Sequence, residues 1–289
     1  MIIKSKHLIC VFLVVSCFGF VPKNESIPQL GILGRLEQDS LIYASGFRLF
    51  GESVGRMLSP SLSEEQFLQN IVRIKKAQCK LFLCNVFFPA TMKIAGPDVD
   101  EKRVLGYADT ILSRAQKAGV PCIVLGSGGA RRIPDGYDEA KASADFVLLG
   151  KKLATLAQKY NVMIALESLQ AAETNFLTSL RSAAEVVRAV DHPNFRLNAD
   201  IFHLMRGNES PESIVQAGDV LAHCEIAEKE KRSFPGVQRD DFKPYLRALR
   251  KAKYKGHIFI EGSTTDPAAD MPLCFKYLTM QLQEVYSEK

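Results

Sequence analysis

Apolar positions along this chain repeat with two different periods, and the two alternate. Short apolar runs that end in polar or glycine-rich sequence predict strands. They lie at Gln29–Leu36, Phe47–Glu52, Lys80–Phe88, Val120–Leu125, Val162–Glu167, Phe195–Asp200, Val220–Ile226 and His257–Glu261. Between them apolar residues recur at helical spacing. Ser63-Glu-Glu-Gln66 has the capping-box form ahead of Phe67, Ile71, Val72 and Ile74. Asp100–Ala118 sets Val104, Leu105, Ala108, Ile111, Leu112 and Ala115 on one side, and Ala140–Tyr160 repeats the pattern. Leu177–Val190, Ser210–Ala217, Asp241–Ala252 and Met271–Tyr286 complete the helical set, with Gly119, Gly218 and Gly256 where a helix hands over to the next strand.

Strands that alternate with helices build a parallel sheet through right-handed crossovers, and eight such units predict an α/β fold of the closed (β/α)8 TIM-barrel kind. The rival is a doubly wound sheet binding a dinucleotide, which calls for a glycine-rich first turn; neither GxGxxG nor a Walker motif occurs. Gly126-Ser-Gly-Gly129 is glycine-rich but runs into Ala130-Arg-Arg-Ile-Pro134, and no helix is predicted to open directly after it.

The first residues follow neither period. Lys4 and Lys6 precede an apolar run of eight, Leu8–Val15, and then Ser16-Cys17. A basic start, a short apolar core and a small-residue exit read as a secretory signal over 1–16, too short to span a bilayer. Val14-Val15-Ser16-Cys17 also resembles a bacterial lipobox, which would make Cys17 a lipidated first residue; the alternatives are an ordinary signal with an incidental cysteine and a buried N-terminal strand. Residues 17–28 then form a tether and 29–289 the barrel. The expected location is exported, periplasmic or membrane-anchored as a lipoprotein, with membrane contact only through that lipid. Cys79, Cys84, Cys122, Cys224 and Cys274 are odd in number and sit mostly in apolar runs, so they read as small core residues, with one adventitious bridge as the alternative.

Composition narrows the function. The chain has 289 residues, enough for one barrel, and its net charge of +5 includes no long basic run, so no nucleic-acid partner is expected. No CxxC pair suggests a zinc finger. The chemistry gathers at strand ends, where α/β barrels keep their active sites. The fifth, sixth and eighth predicted strands end in Glu167, Asp200 and Glu261, and the seventh carries His223 and Glu225, two apart and therefore on one face. One acidic residue after a strand is usually a solvated loop residue or a helix cap. Four at adjacent strand ends would repel one another without a cation, which points to one divalent metal ion held by Glu167, Asp200, Glu225 and Glu261. His203, three residues beyond Asp200, reads as a substrate contact.

Three motifs carry a resemblance to a known family: Leu166-Glu-Ser-Leu169 with Glu173-Thr-Asn175, Asp200-Ile-Phe-His203, and Tyr254-Lys-Gly256 leading to Ile260-Glu261. The chain resembles the xylose isomerase-like barrels, the sugar (phosphate) isomerase/epimerase superfamily that includes ketose 3-epimerases. The resemblance implies a Glu, Asp, His, Glu metal set, Glu167 and Glu261 as the catalytic pair, and Glu173, His203 and Arg232 as substrate-binding residues. Arg131, Arg132 and Glu52 would line the substrate side. One departure stands out: the family usually has His-x-His on the seventh strand, and here the segment is His223-Cys224-Glu225. Four carboxylates would favour Mn²⁺ or Mg²⁺ over Zn²⁺, and His223 would support a ligand rather than be one.

The implied activity is isomerase or epimerase chemistry on a small carbohydrate: proton transfer beside a carbonyl through an enediolate. The alternatives are a metal-dependent lyase or dehydratase acting on oxidised sugars or inositols, and a non-catalytic sugar-binding lipoprotein. Related apurinic endonucleases need more histidines than the five present.

Overall fold

The computed structural model describes residues 26–288. The signal assigned to 1–16, Cys17 and the tether as far as Glu25 lie outside the described residues. Strands Leu30–Leu33 (β1), Leu49–Ser53 (β2), Lys80–Asn85 (β3), Cys122–Leu125 (β4), Met163–Glu167 (β5), Phe195–Asp200 (β6), Leu221–Ile226 (β7) and Ile258–Ile260 (β8) form one closed barrel in chain order. Every pairing is parallel, and β8 closes on β1 through Leu30↔Ile258 and Ile32↔Ile260. The (β/α)8 barrel expected from periodicity is the fold observed.

β6 keeps the expected bounds, Phe195–Asp200, and the other strands are shorter than their apolar runs, for local reasons. β1 stops at Leu33 because Leu36–Gln38 already winds into a 3-10 turn. β3 stops at Asn85 because Val86 takes a left-handed backbone, φ 56°. The helix over Glu64–Lys76 starts as its capping box requires, with Ser63 Oγ accepting from Gln66 N and Gln66 Oε1 from Ser63 N. Gly119 closes Glu101–Ala118 at φ 73°, a conformation that costs other residues strain. Gly256 differs from expectation: its neighbouring helix already ends at Lys251, and a Cβ at 256 would lie 2.3 Å from the Tyr254 hydroxyl, so close packing requires it. Four short helices fall outside the expected set, among them Asp39–Ala44 and Val54–Met57. Gly128–Arg131 opens within the glycine-rich stretch, and Ile201–Arg206 opens directly on Asp200.

The core has two layers. The larger lies between strands and helices; the smaller fills the barrel interior with Leu49, Leu83, Cys122, Val124, Ala165 and Phe259. All five described cysteines are free and buried, as core residues rather than a framework. Among the described residues no helix is long and apolar enough to cross a membrane. The Phe259 ring plugs the interior against Gly31, where an added Cβ would meet Cζ at 2.5 Å. Gly31→Ala is therefore expected to cost about 1–3 kcal/mol of overpacking, with part recovered in Gly31→Ala/Phe259→Leu. Urea unfolding of the single and double variants checks this, and an unaffected Gly31→Ala would contradict the packing.

Candidate functional site

Register brings the acidic strand ends together. Glu167 pairs with Asn198, Asp200 with Glu225 and Glu225 with Phe259, so Glu167, Asp200 and Glu225 face the same rim, which Glu261 joins one residue past β8. One carboxylate oxygen from each of Glu167, Asp200, Glu225 and Glu261 lies within 4.8 Å of all the others. Ligands on opposite sides of one cation at bond lengths of about 2.3 Å are about 4.6 Å apart, so the four fit a single hard ion. Glu167 Oε1 and Glu225 Oε1 are buried without a hydrogen bond, so each has a lone pair that a cation could use.

Depth differs among the four. Asp200 and Glu225 are fully buried, whereas the Glu261 side chain keeps 21% of its exposure and faces the cleft. Burial first, and then neighbouring carboxylates, push the Glu225 and Asp200 acids up, Glu225 well above the ordinary carboxylate range. The same causes bring Glu261 up to about 8 despite Arg232 beside it. At Glu167 burial also pushes up, but His203, Arg232 and Arg131 outweigh it and hold the acid low.

Neutral and cationic donors surround the cluster. Asn198 Nδ2 donates to Glu225 Oε2 (2.5 Å) and Asn85 Nδ2 to Glu261 Oε1 (2.6 Å). Arg232 Nη2 donates to Asp200 Oδ2 (2.9 Å) and bonds Glu261 Oε2. His203 Nε2 lies 3.3 Å from Glu167 Oε1 and 3.4 Å from Asp200 Oδ2. Burial opposes charge on this ring, yet Asp200 and Glu167 raise its pKa to about 9. A second possible ligand set, Glu167, Asp200 and His203, shares those contacts. Gln170 N lies 3.4 Å from His203 Nδ1, and a ring that is cationic at neutral pH has no lone pair for a metal, so His203 offers charge to the carboxylates rather than a ligand atom. The four-carboxylate set is the better cradle.

Above the cluster lies a cleft of about 260 Å³, lined by Glu167, Glu173, His203, Arg232 and Glu261 together with Asn85, Val86, Leu169 and the Gly126–Gly128 turn. Glycine at 126 is required by close approach, since a Cβ there would lie 2.4 Å from Glu167 Oε2.

Several expected residues stand elsewhere. Arg131 does not line the substrate side: it is fully buried, and its Nη1 donates to the backbone carbonyl of Glu167 (2.5 Å), bracing the end of β5 from behind. Arg132 is exposed and lies outside the cleft lining. Glu52 turns away, accepting from Leu36 N (3.2 Å) and lying 3.4 Å from Arg56 Nε. His223 stands behind Glu225, Nε2 to Oε1 3.6 Å, and burial pushes it down to about 3, so it is neutral. Asn85 and Asn198 went unread, although the rule that found the carboxylates applies to them. Asn85 interrupts the apolar run Lys80–Phe88, and Asn198 lies two residues before Asp200 on the same face.

A family model described as xylose isomerase-like TIM barrel matches residues 44–275. An L-ribulose 3-epimerase of Methylomonas sp. (strain DH-1) is 29% identical over 135 residues, covering 45% of this chain and 47% of that protein. A hydroxypyruvate isomerase of Escherichia coli (strain K12) is 22% identical over 133 residues, covering 45% and 52%. The chain thus spans about half the length of the curated relatives it matches. In three dimensions it is similar to a 3-keto-D-glucoside 4-epimerase from E. coli, with TM-score 0.74 and 19% identity over 88% of this chain and 99% of that one. At that identity the likeness speaks to the fold, which the family match over most of the chain makes specific: the chain belongs to the xylose isomerase-like TIM barrel family.

Proposed function

We propose that this protein is an exported, divalent-metal-dependent epimerase or isomerase of neutral sugars, transferring a proton on the carbon beside a carbonyl. The observation that carries the reading is the convergence of four carboxylates beneath a cleft at the C-terminal rim of the barrel. Glu167, Asp200, Glu225 and Glu261 would hold the ion, and Mn²⁺ or Mg²⁺ suits an all-oxygen set better than Zn²⁺. When bound, such an ion supplies positive charge to the oxygens of the substrate, which makes the neighbouring C–H acidic enough to remove. Glu167 and Glu261 come from strand ends three apart around the barrel, so a substrate between them has one carboxylate on each face: one removes the proton, the other returns it. Glu173, His203 and Arg232 would bind substrate oxygens.

Charge favours a neutral substrate over an anionic one. The cations lining the cleft, Arg232 and His203, already face carboxylates, and Glu225 adds a negative charge where the family usually has histidine. A substrate carboxylate would find no cation free among the lining residues, so a ketose fits this cleft better than hydroxypyruvate does.

Replacing either Glu167 or Glu261 by Gln keeps the size and one ligating oxygen but removes the base. Each variant is expected to lower kcat by about 10²–10⁴-fold or more on a ketose panel in D₂O with Mn²⁺, read by NMR. Asp200→Asn should act through metal affinity and recover in excess Mn²⁺. Near-native kcat in both glutamine variants would reject two-base chemistry and favour a sugar-binding protein, and release of water would favour a lyase.

The acid shifts also set a pH dependence. Asp200, Glu225 and Glu261 are raised on folding, so without metal the native state holds protons that the unfolded chain has lost. Stability of the metal-free protein therefore falls as pH rises, for Glu261 from about 4.5 towards about 8. Metal replaces those protons, and at 100-fold excess over Kd it adds about 2.7 kcal/mol. The Tm gain on adding Mn²⁺ should be larger at pH 8 than at pH 5; equal gains, or none, would contradict the site.

The export reading rests on Lys4, Lys6, Leu8–Val15 and the quartet ending at Cys17. Intact mass of the protein from a bacterial membrane fraction should correspond to a chain starting at a lipid-bearing Cys17. Retention of Met1 would refute export, and cleavage elsewhere would refute lipidation.

A further inference from the structure

We propose that Glu228, a residue outside the cleft, is the positioning residue that holds Arg232 over the carboxylate cluster. Glu228 is fully buried in the segment after β7, and both its oxygens are filled from that segment. Oε1 accepts from the N–H groups of Gly236 (2.7 Å), Arg239 (2.8 Å) and Asp240 (3.4 Å). Oε2 accepts from Ser233 Oγ (3.1 Å) and the N–H of Gln238. The Glu228 N–H in turn donates to Ser233 O (2.9 Å), so the stretch carrying Arg232 is pinned at both ends to one residue. A buried carboxylate satisfied almost wholly by backbone donors is a strong, directional staple.

The staple has strain to hold. Lys231 and Arg232 are consecutive left-handed residues, φ 59° and 50°, and Arg239 is a third at 65°. Non-glycine residues keep that conformation only where their surroundings over-determine it. From the β8 side, Ser263 N donates to Arg232 O (2.8 Å) and Ser263 Oγ to Lys231 O (3.1 Å). The outcome is one placement of the guanidinium: Nε donates to Glu261 O (2.9 Å), Nη2 to Asp200 Oδ2, and Cζ lies 4.6 Å from the centroid of the Phe202 ring. Glu228 touches none of these atoms and acts through the loop alone.

The inference takes its functional meaning from the sugar-site reading, in which Arg232 binds substrate. Its test needs neither metal nor sugar, so the two stand or fall separately. The reporter is hydrogen exchange of the Arg232 side-chain Nε–H, followed by ¹⁵N NMR and assigned by its loss in Arg232→Lys. Glu228→Gln puts amide N–H groups against backbone N–H donors, so at most one oxygen of the staple survives. Exchange at Arg232 should then quicken roughly tenfold or more as the loop opens locally, while the buried Arg131 Nε–H stays unchanged. Should Glu228→Gln fail to fold, Ser233→Ala removes a single bond of the staple and is expected to quicken Arg232 in the same selective way. Unchanged Arg232 exchange in the folded variant, or equal quickening at Arg131, would overturn the proposal.

Discussion

Four carboxylates are held within one small volume at the rim of this barrel, three of them buried or nearly so. Bringing ionised groups out of water costs several kcal/mol each, and like charges add to that cost. Much of the local structure is arranged around the problem. Asn85 and Asn198 offer neutral N–H donors, Arg232 and His203 offer positive charge, and Arg131 braces the Glu167 backbone from behind. Even so, Glu167 Oε1 and Glu225 Oε1 remain without a hydrogen bond. A divalent ion would resolve both the charge and the unpaired oxygens, and the same ion would give the cleft its proposed chemistry.

The substitution at 225 sharpens this constraint. A histidine ligand would be neutral, and glutamate adds one negative charge at the deepest point of the cluster. The neighbourhood responds with Asn198 on one oxygen and the neutral His223 3.6 Å from the other. In the proposed site the extra charge would also weigh on what enters the cleft, since it disfavours anions, and ligand residues and substrate choice would then be one electrostatic arrangement rather than two independent features.

The sequence made the barrel legible because eight apolar runs and the helices between them each bury one face, and that demand is written residue by residue. The acidic strand ends were legible for the same reason: Glu167, Asp200, Glu225 and Glu261 interrupt apolar patterns at equivalent points. What escaped was set by packing across distant segments. Arg131 looks like a loop cation in sequence, and only the turn at Gly128–Arg131 folds it inward beneath Glu167. Glu52 ends its apolar run as Glu167 does, yet the 3-10 turn at Leu36 captures its carboxylate. Glu228 carries no motif at all, because its partners are backbone N–H groups as far away as Asp240.

Anomalous diffraction from crystals soaked in Mn²⁺ would locate the ion itself. A single strong peak is expected at the rim, within about 2.0–2.5 Å of an oxygen from each of Glu167, Asp200, Glu225 and Glu261. A peak elsewhere in the barrel, one that leaves Glu225 out of its ligands, or no peak at a saturating concentration would contradict the four-carboxylate site.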